Sequence, residues 1–178
     1  MGTPHPPEPS LLFISLLFSQ RDIYKSVFLL LLRRFGDTLL DSDASPWNHT
    51  HYYDDELGTP IFRKLLFFRK QFDPLCLPDI KLETNDLEAS YVIEGKRKIN
   101  IDPGYLMRSR VVLASAKDYS HRIYLGKGIY GEVALYYRGN HFNPLPYTYF
   151  DYRNPRTIEL FEKARKELRR REKNQFIT

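Results

Sequence analysis

Apolar residues run almost without interruption from Leu11 to Phe18. That length suits a strand buried on both faces and falls well short of the ~20 residues a membrane-spanning helix requires. The segment before it holds Glu8 and no Lys or Arg, and Ser19-Gln20-Arg21-Asp22 follows without a small-residue cleavage site, so a secretory signal is not indicated. The run is therefore read as the strand that opens the fold, and the proline-rich residues 1–9 as a disordered leader. Ser19 is placed to cap a helix from Gln20 to Phe35 that Gly36 stops. Ile23, Tyr24, Val27, Phe28, Leu31 and Phe35 recur at helical spacing and should face a sheet; the unbroken Val27–Leu32 run suggests that part of the opposite side is covered too.

A short strand is expected at Thr38–Leu40 and a longer one at Ile61–Arg69, separated by a polar stretch from Asp41 to Gly58. Pro74 and Pro78 precede a helix read from Asp79 to Ile93, with Gly95 as its stop. Lys98–Ile101 alternates, placing Ile99 and Ile101 inward and Asn100 on the other face with Asp102, and Asp102-Pro103-Gly104 reads as a turn. Val111–Ala116 is a further strand. His121–Leu125 and Ile129–Arg138 flank Gly126-Lys127-Gly128, a three-residue hairpin loop that would set Leu125 opposite Ile129, Tyr124 opposite Tyr130 and Arg122 opposite Glu132. In that register one face carries Arg122, Tyr124, Tyr130, Glu132 and Tyr136, and the core face carries Ile123, Leu125, Ile129, Val133 and Leu135. Gly139-Asn140 makes a second tight turn into His141 and Phe142. Asn154 and Pro155 open the last helix as N-cap and first helical residue, with Ile158, Phe161, Ala164, Arg165 and Leu168 as its inner stripe. Two strand–helix–strand units followed by a meander indicate an α+β fold: a single domain over residues 10–178, with a ferredoxin-like core, an added antiparallel β-meander and a C-terminal helix.

Composition sharpens this picture in two places. The chain of 178 residues has 27 basic and 22 acidic side chains, a net charge of +5, yet residues 1–150 are nearly balanced and the excess sits in the last helix. There, Glu159–Lys163, Glu162–Lys166 and Glu167–Arg171 form i,i+4 pairs, and Arg169-Arg170-Arg171 suits a helix C-terminus. The single cysteine, Cys76, rules out an intramolecular disulfide, fits a reducing cytoplasm, and lies in an apolar loop where inert packing is the default. Thirteen tyrosines are the other unusual feature. A tyrosine offers a flat apolar body with a polar tip, suited to a pocket, an interface or the stacking of bases.

Tests for chemistry exclude more than they assign. Neither Gly95-Lys96 nor Gly126-Lys127 has the glycine five residues upstream or the following Ser/Thr of a phosphate-binding P-loop. Ser115-Ala116-Lys117 matches a guanine-contacting tripeptide of small GTPases, but no Asn-Lys-x-Asp accompanies it. His49 and His51, with Asp54, Asp55 or Glu56, could meet on a metal, although a solvated polar loop is the simpler reading, and no metal is assigned. Asp118, His121 and Arg122 form the densest mixed-charge group. A carboxylate beside a histidine can fix its tautomer, and an arginine can grip a phosphate or carboxylate. Asp102, ending a strand, could add a second carboxylate for acid–base work. The packing alternative pairs Arg122 with Glu132 and leaves His121 half-buried.

Further motifs lie in Asn100-Ile101-Asp102-Pro103-Gly104-Tyr105-Leu106 and in Lys117-Asp118-Tyr119-Ser120-His121-Arg122-Ile123-Tyr124-Leu125-Gly126. Others are Thr50 with Tyr52-Tyr53 and Glu56-Leu57-Gly58, Lys81-Leu82 with Thr84-Asn85, and Pro144-Leu145-Pro146-Tyr147-Thr148-Tyr149 with Asp151-Tyr152-Arg153. In these the chain resembles the prokaryotic domain-of-unknown-function family 4416, whose members often carry the automatic label "GTP-binding protein". The resemblance covers nearly the whole chain after the leader and implies no activity or cofactor. Three functions are carried forward. The favoured one is a pocket for a phosphorylated or carboxylated small molecule, enzymatic or not. Asp102, Asp118 and His121 are its catalytic candidates, and Arg122, Lys81, Thr84, Asn85, Tyr52, Tyr53, Glu56 and Tyr105 its ligand-binding candidates. The second is a nucleic-acid module using the tyrosine-rich face and the basic helix; the third is a non-catalytic interaction protein.

Overall fold

The structure is a computed structural model and describes residues 2–175. Its first strand, β1 (Ser10–Phe18), is buried along its whole length because it lies at the centre of the sheet with helices on both faces. Its side chains alternate between two cores. Leu12, Ile14, Leu16 and Phe18 pack with Val27 and Leu31 of α1 (Arg21–Phe35), while Leu11 and Phe13 pack with Phe161, Ala164 and Leu168 of α5 (Pro155–Gln175). The chain continues through β2 (Thr38–Asp41), β3 (Ser45–Pro46), α2 (Asp54–Leu57), β4 (Phe62–Phe72), a 3₁₀ turn at Pro74–Cys76 and α3 (Leu77–Ala89). Then come β5 (Val92–Ile93), β6 (Lys96–Arg97), β7 (Ile99–Leu106), β8 (Arg110–Ser115), β9 (Ile123–Gly126), β10 (Ile129–Arg138), β11 (His141–Pro144) and α4 (Phe150–Arg153).

The described residues form a nine-stranded antiparallel sheet whose main order is β11-β10-β8-β7-β1-β4-β2, with β3 paired to β4 and β9 to β10. Within it, β7-β1-β4-β2 and the crossover helices α1 and α3 have the strand order of a ferredoxin-like βαββαβ unit, as expected for an α+β chain. The meander β8–β11 extends this unit from the β7 edge, and α5 covers the second face. Asn154 caps α5, its Oδ1 accepting the Arg156 N–H at 3.0 Å, and Pro155 follows in the first turn. Among the described residues no helix is long and apolar enough to cross a membrane.

Several expectations are corrected. The Ser19 hydroxyl does not cap α1; it donates to the Leu57 carbonyl, and the helix begins at Arg21 without a side-chain cap. The far side of α1 is not covered, since Leu29 and Leu30 are exposed. Helix α3 ends at Ala89, because Val92–Ile93 instead pairs with Lys96–Arg97 through a turn in which Glu94 and Gly95 both have positive φ. Cys76 is exposed rather than packed. The hairpin after β9 closes on two residues: Gly126 pairs with Ile129, and Lys127 and Gly128 take φ of 57° and 75°. An irregularity between Ile129 and Tyr130 then restores Tyr124 opposite Tyr130, the register read from the sequence. A second bulge, between Val133 and Leu135, reverses the parity of β10, so Leu135 joins the α5 core with Val111 instead of the face of Ile129. Ile123 and Leu125, expected in the core, are exposed on the edge strand β9.

The Asp102-Pro103-Gly104 turn is also absent. These residues continue β7, pairing with Ser15, Ile14 and Phe13 of β1. On its other side β7 pairs with β8 only from Gly104 to Leu106. Backbone groups of alternate residues point to the same side of a strand, so Pro103 presents its nitrogen on the edge shared with Ile101 and has no N–H to continue the ladder. Beyond that point β8 follows β10 and leaves β7, and a gap opens in the sheet.

Candidate functional site

The gap is the floor of a cavity of about 510 Å³. Its walls come from β7, the end of β8, α3, the segment from Trp47 to Tyr53 and the segment from Tyr149 to Tyr152. The wall before α2 is held by a small apolar cluster in which Trp47 and Tyr53 pack against Leu17, Leu57 and Ile61.

Where β8 is missing, two side chains of α3 take its place. The Ile101 N–H donates to Glu88 Oε1 at 2.6 Å, and the Ile101 carbonyl accepts from Lys81 Nζ at 3.2 Å. Lys81, buried itself, also donates to Asp102 Oδ1 at 2.8 Å, and Asn100 Nδ2 donates to Asp102 Oδ2 at 2.6 Å. Arg97 completes this group. It grips Glu56 through two bonds of 2.6 and 2.9 Å, pairs with Glu88, and reaches Asn100 Oδ1 at 3.3 Å. The surroundings push the two inner carboxyls apart. Burial raises Glu88 above its ordinary range in spite of Lys81 and Arg97. Burial also works against the Asp102 carboxylate, but the charge and hydrogen bond of Lys81 and the bond from Asn100 prevail and hold it below the usual range. Asp102 is therefore an ionised acceptor, with 39% of its side chain accessible. Burial, aided by Asp102, pushes the Tyr53 hydroxyl far up, so it stays a neutral donor.

The opposite wall is built on Glu132, only 2% exposed. Its Oε2 accepts from Arg122 Nε at 2.7 Å and lies 3.2 Å from His121 Nε2. Its Oε1 has no hydrogen-bond partner among the described residues. Arg122 also donates to the Lys117 carbonyl and to the Tyr149 hydroxyl, each at 2.8 Å, while the His121 ring stacks on Tyr147 with centroids 4.1 Å apart. At the rear, Arg63 pairs with Asp151 at 2.9 Å, both side chains 7% exposed, and lies over the Tyr152 ring. Of the four cations lining the cavity, Lys81, Arg97, Lys117 and Arg122, only Lys117 has no carboxylate partner among the described residues. Its ammonium sits 5.5 Å from the centre of the Tyr52 ring.

Six residues singled out in the sequence thus line one cavity: Tyr52, Tyr53, Lys81, Asn85, Asp102 and Arg122. Glu56 reaches it through Arg97, and His121 through Glu132. Three lie elsewhere. Asp118 is exposed on the loop after β8, the Thr84 hydroxyl is buried and bonded to the Lys81 carbonyl, and Tyr105 packs against Phe72. His51 pairs with Asp54 at 2.7 Å on an exposed loop, and among the described residues no group of three or more His, Cys, Asp or Glu side chains could hold a metal ion. Glu88, Arg97 and Asp151 were not singled out as site residues. The helical spacing of Lys81 and Glu88, seven apart on one face of α3, was the available signal for the first.

A family model described as a domain of unknown function, DUF4416, matches residues 8–168. No curated protein and no solved structure matches the chain.

Proposed function

For a chain that belongs to the DUF4416 family, we propose that the cavity between β7, α3 and the end of β8 binds a phosphorylated or carboxylated small molecule in the cytoplasm. One observation carries this reading. Polar residues from Tyr52 to Arg122, on separate elements, converge on one concave site of a size suited to a metabolite. The bulk of its charge is already matched inside the protein, which leaves Lys117 to meet an anionic group and Asp102 to accept from a hydroxyl or amine. The favoured reading over a nucleic-acid module rests on Arg122 and Glu132. They are committed to one another in a buried pair, so they do not offer an open basic sheet face.

The test is thermal unfolding against a panel of phosphorylated and carboxylated metabolites. A compound at about a hundred times its dissociation constant stabilises by ~2.7 kcal/mol, a readily measured rise in Tm. Lys117→Met should reduce that rise, and Asp102→Asn should abolish it for compounds whose hydroxyl or amino groups reach the floor. A panel that leaves Tm unchanged throughout overturns the proposal.

A further inference from the structure

The rim of the cavity carries aromatic rings that the fold leaves more than half exposed. Tyr52 and Tyr149 both line the site, yet they are 68% and 52% exposed. Neither ring is free to collapse. Tyr52 packs edge-on against Tyr53 with centroids 4.9 Å apart, and the Tyr149 hydroxyl is held by Arg122. Aromatic faces of this kind fit a planar π-system such as a nucleobase. Beside them stands Lys117, the lining cation without a carboxylate partner among the described residues, its ammonium over the Tyr52 ring. Deeper in, Asp102 presents an ionised acceptor suited to hydroxyl groups.

From this arrangement we infer that the ligand is a nucleotide: an aromatic base stacked on Tyr52 and Tyr149, a phosphate met by Lys117, and sugar hydroxyls directed towards Asp102. The inference rests on the small-molecule reading above and narrows it to one chemical class. Recognition here involves no phosphate-binding loop. One lysine and two held rings meet the ligand, so the base is expected to supply a large share of the affinity.

Trp47, the single tryptophan, lines the cavity and reports entry by its fluorescence. The four ribonucleoside 5′-monophosphates, ribose 5-phosphate and adenosine are titrated against the full chain. The tightest monophosphate is expected to bind at least tenfold more tightly than ribose 5-phosphate. Tyr149→Ala and Tyr52→Ala should bring it down towards the sugar phosphate while leaving ribose 5-phosphate unaffected, and Tyr149→Phe should retain the preference because it keeps the ring. Lys117→Met should weaken the monophosphate about tenfold and leave adenosine unchanged. Circular dichroism melts confirm that each variant is folded. If ribose 5-phosphate binds as tightly as every monophosphate, or if the alanine variants keep the preference, the nucleotide inference fails and the small-molecule reading stands. If no monophosphate and no member of the metabolite panel binds, both fail.

Discussion

Lys81 shows how one side chain can serve the sheet and the site together. Its ammonium satisfies the Ile101 carbonyl, which no strand reaches, and holds Asp102 ionised at the cavity floor. Glu88 does the reciprocal task for the Ile101 N–H, and burial makes its charged form costly. The two carboxyls therefore respond to acid with opposite sign. Asp102, depressed on folding, contributes stability that is present above its unfolded pKa of about 3.9 and is lost as pH falls through its folded value. Glu88, raised on folding, favours the folded state most when protonated, and stability declines as pH rises from about 4.3 through its folded value. Urea unfolding from pH 3 to 7 should show this. The Asp102→Asn variant should lose less stability than the parent between pH 4 and 3. The gap between Glu88→Gln and the parent should shift in favour of the variant as pH rises above 4.3. Parallel pH profiles for parent and variants would refute the assignment. Asp102, Lys81 and Arg122 were recognisable in the sequence because they stand in dense polar motifs. Arg63 and Asp151 were not, since a pair 88 positions apart leaves no local pattern.

At the level of elements, the alternation of apolar residues carried most of the fold. β1, β4, β10 and the stripe of α5 were legible because each has one or two faces to bury. Two of the failures share a cause: features that break periodicity take their meaning from a neighbouring strand. Asp-Pro-Gly is favourable turn chemistry locally, yet pairing with β1 holds it extended, and the proline acts on the far edge. The bulge after Val133 reverses β10 without any glycine or proline to announce it. Gly104 is required for a different reason than a turn would impose. A Cβ there would lie 2.5 Å from Phe13 Cζ and closer still to the Val112 carbonyl oxygen, a backbone atom that cannot yield. Gly104→Ala should therefore destabilise the protein by about 3 kcal/mol or more, near the upper end for overpacking. Gly95→Ala meets nothing within 4 Å and carries only the strain of its positive φ, expected at about 1 kcal/mol. Chemical denaturation of both variants checks the order; equal losses would argue against the close approach of the Phe13 ring and the Val112 carbonyl to Gly104.

Across the whole molecule, the cavity lies where the ferredoxin-like unit meets its added meander, because β8 and β7 pair over three residues and then separate. The sequence announced both parts but not the seam, which depends on how far two strands stay together. Part of the basic charge of the C-terminal helix is met at home: Glu159 pairs with Lys163 at 2.9 Å, Glu167 with Arg170 rather than Arg171, and Arg165 lies over the Tyr137 ring. Separation of β7 from β8 has a consequence beyond the site. An unpaired strand edge is a template for any extended chain that can reach it, and natural proteins guard such edges with inward-pointing charge. Lys81 and Glu88 occupy the donor and acceptor that an intruding strand would need. Their joint replacement by Met should turn an internal seam into a nucleus for self-association, seen as light scattering and thioflavin binding on mild warming while the parent stays clear. A double variant as monodisperse as the parent at the same folded fraction would show that the edge needs no guard.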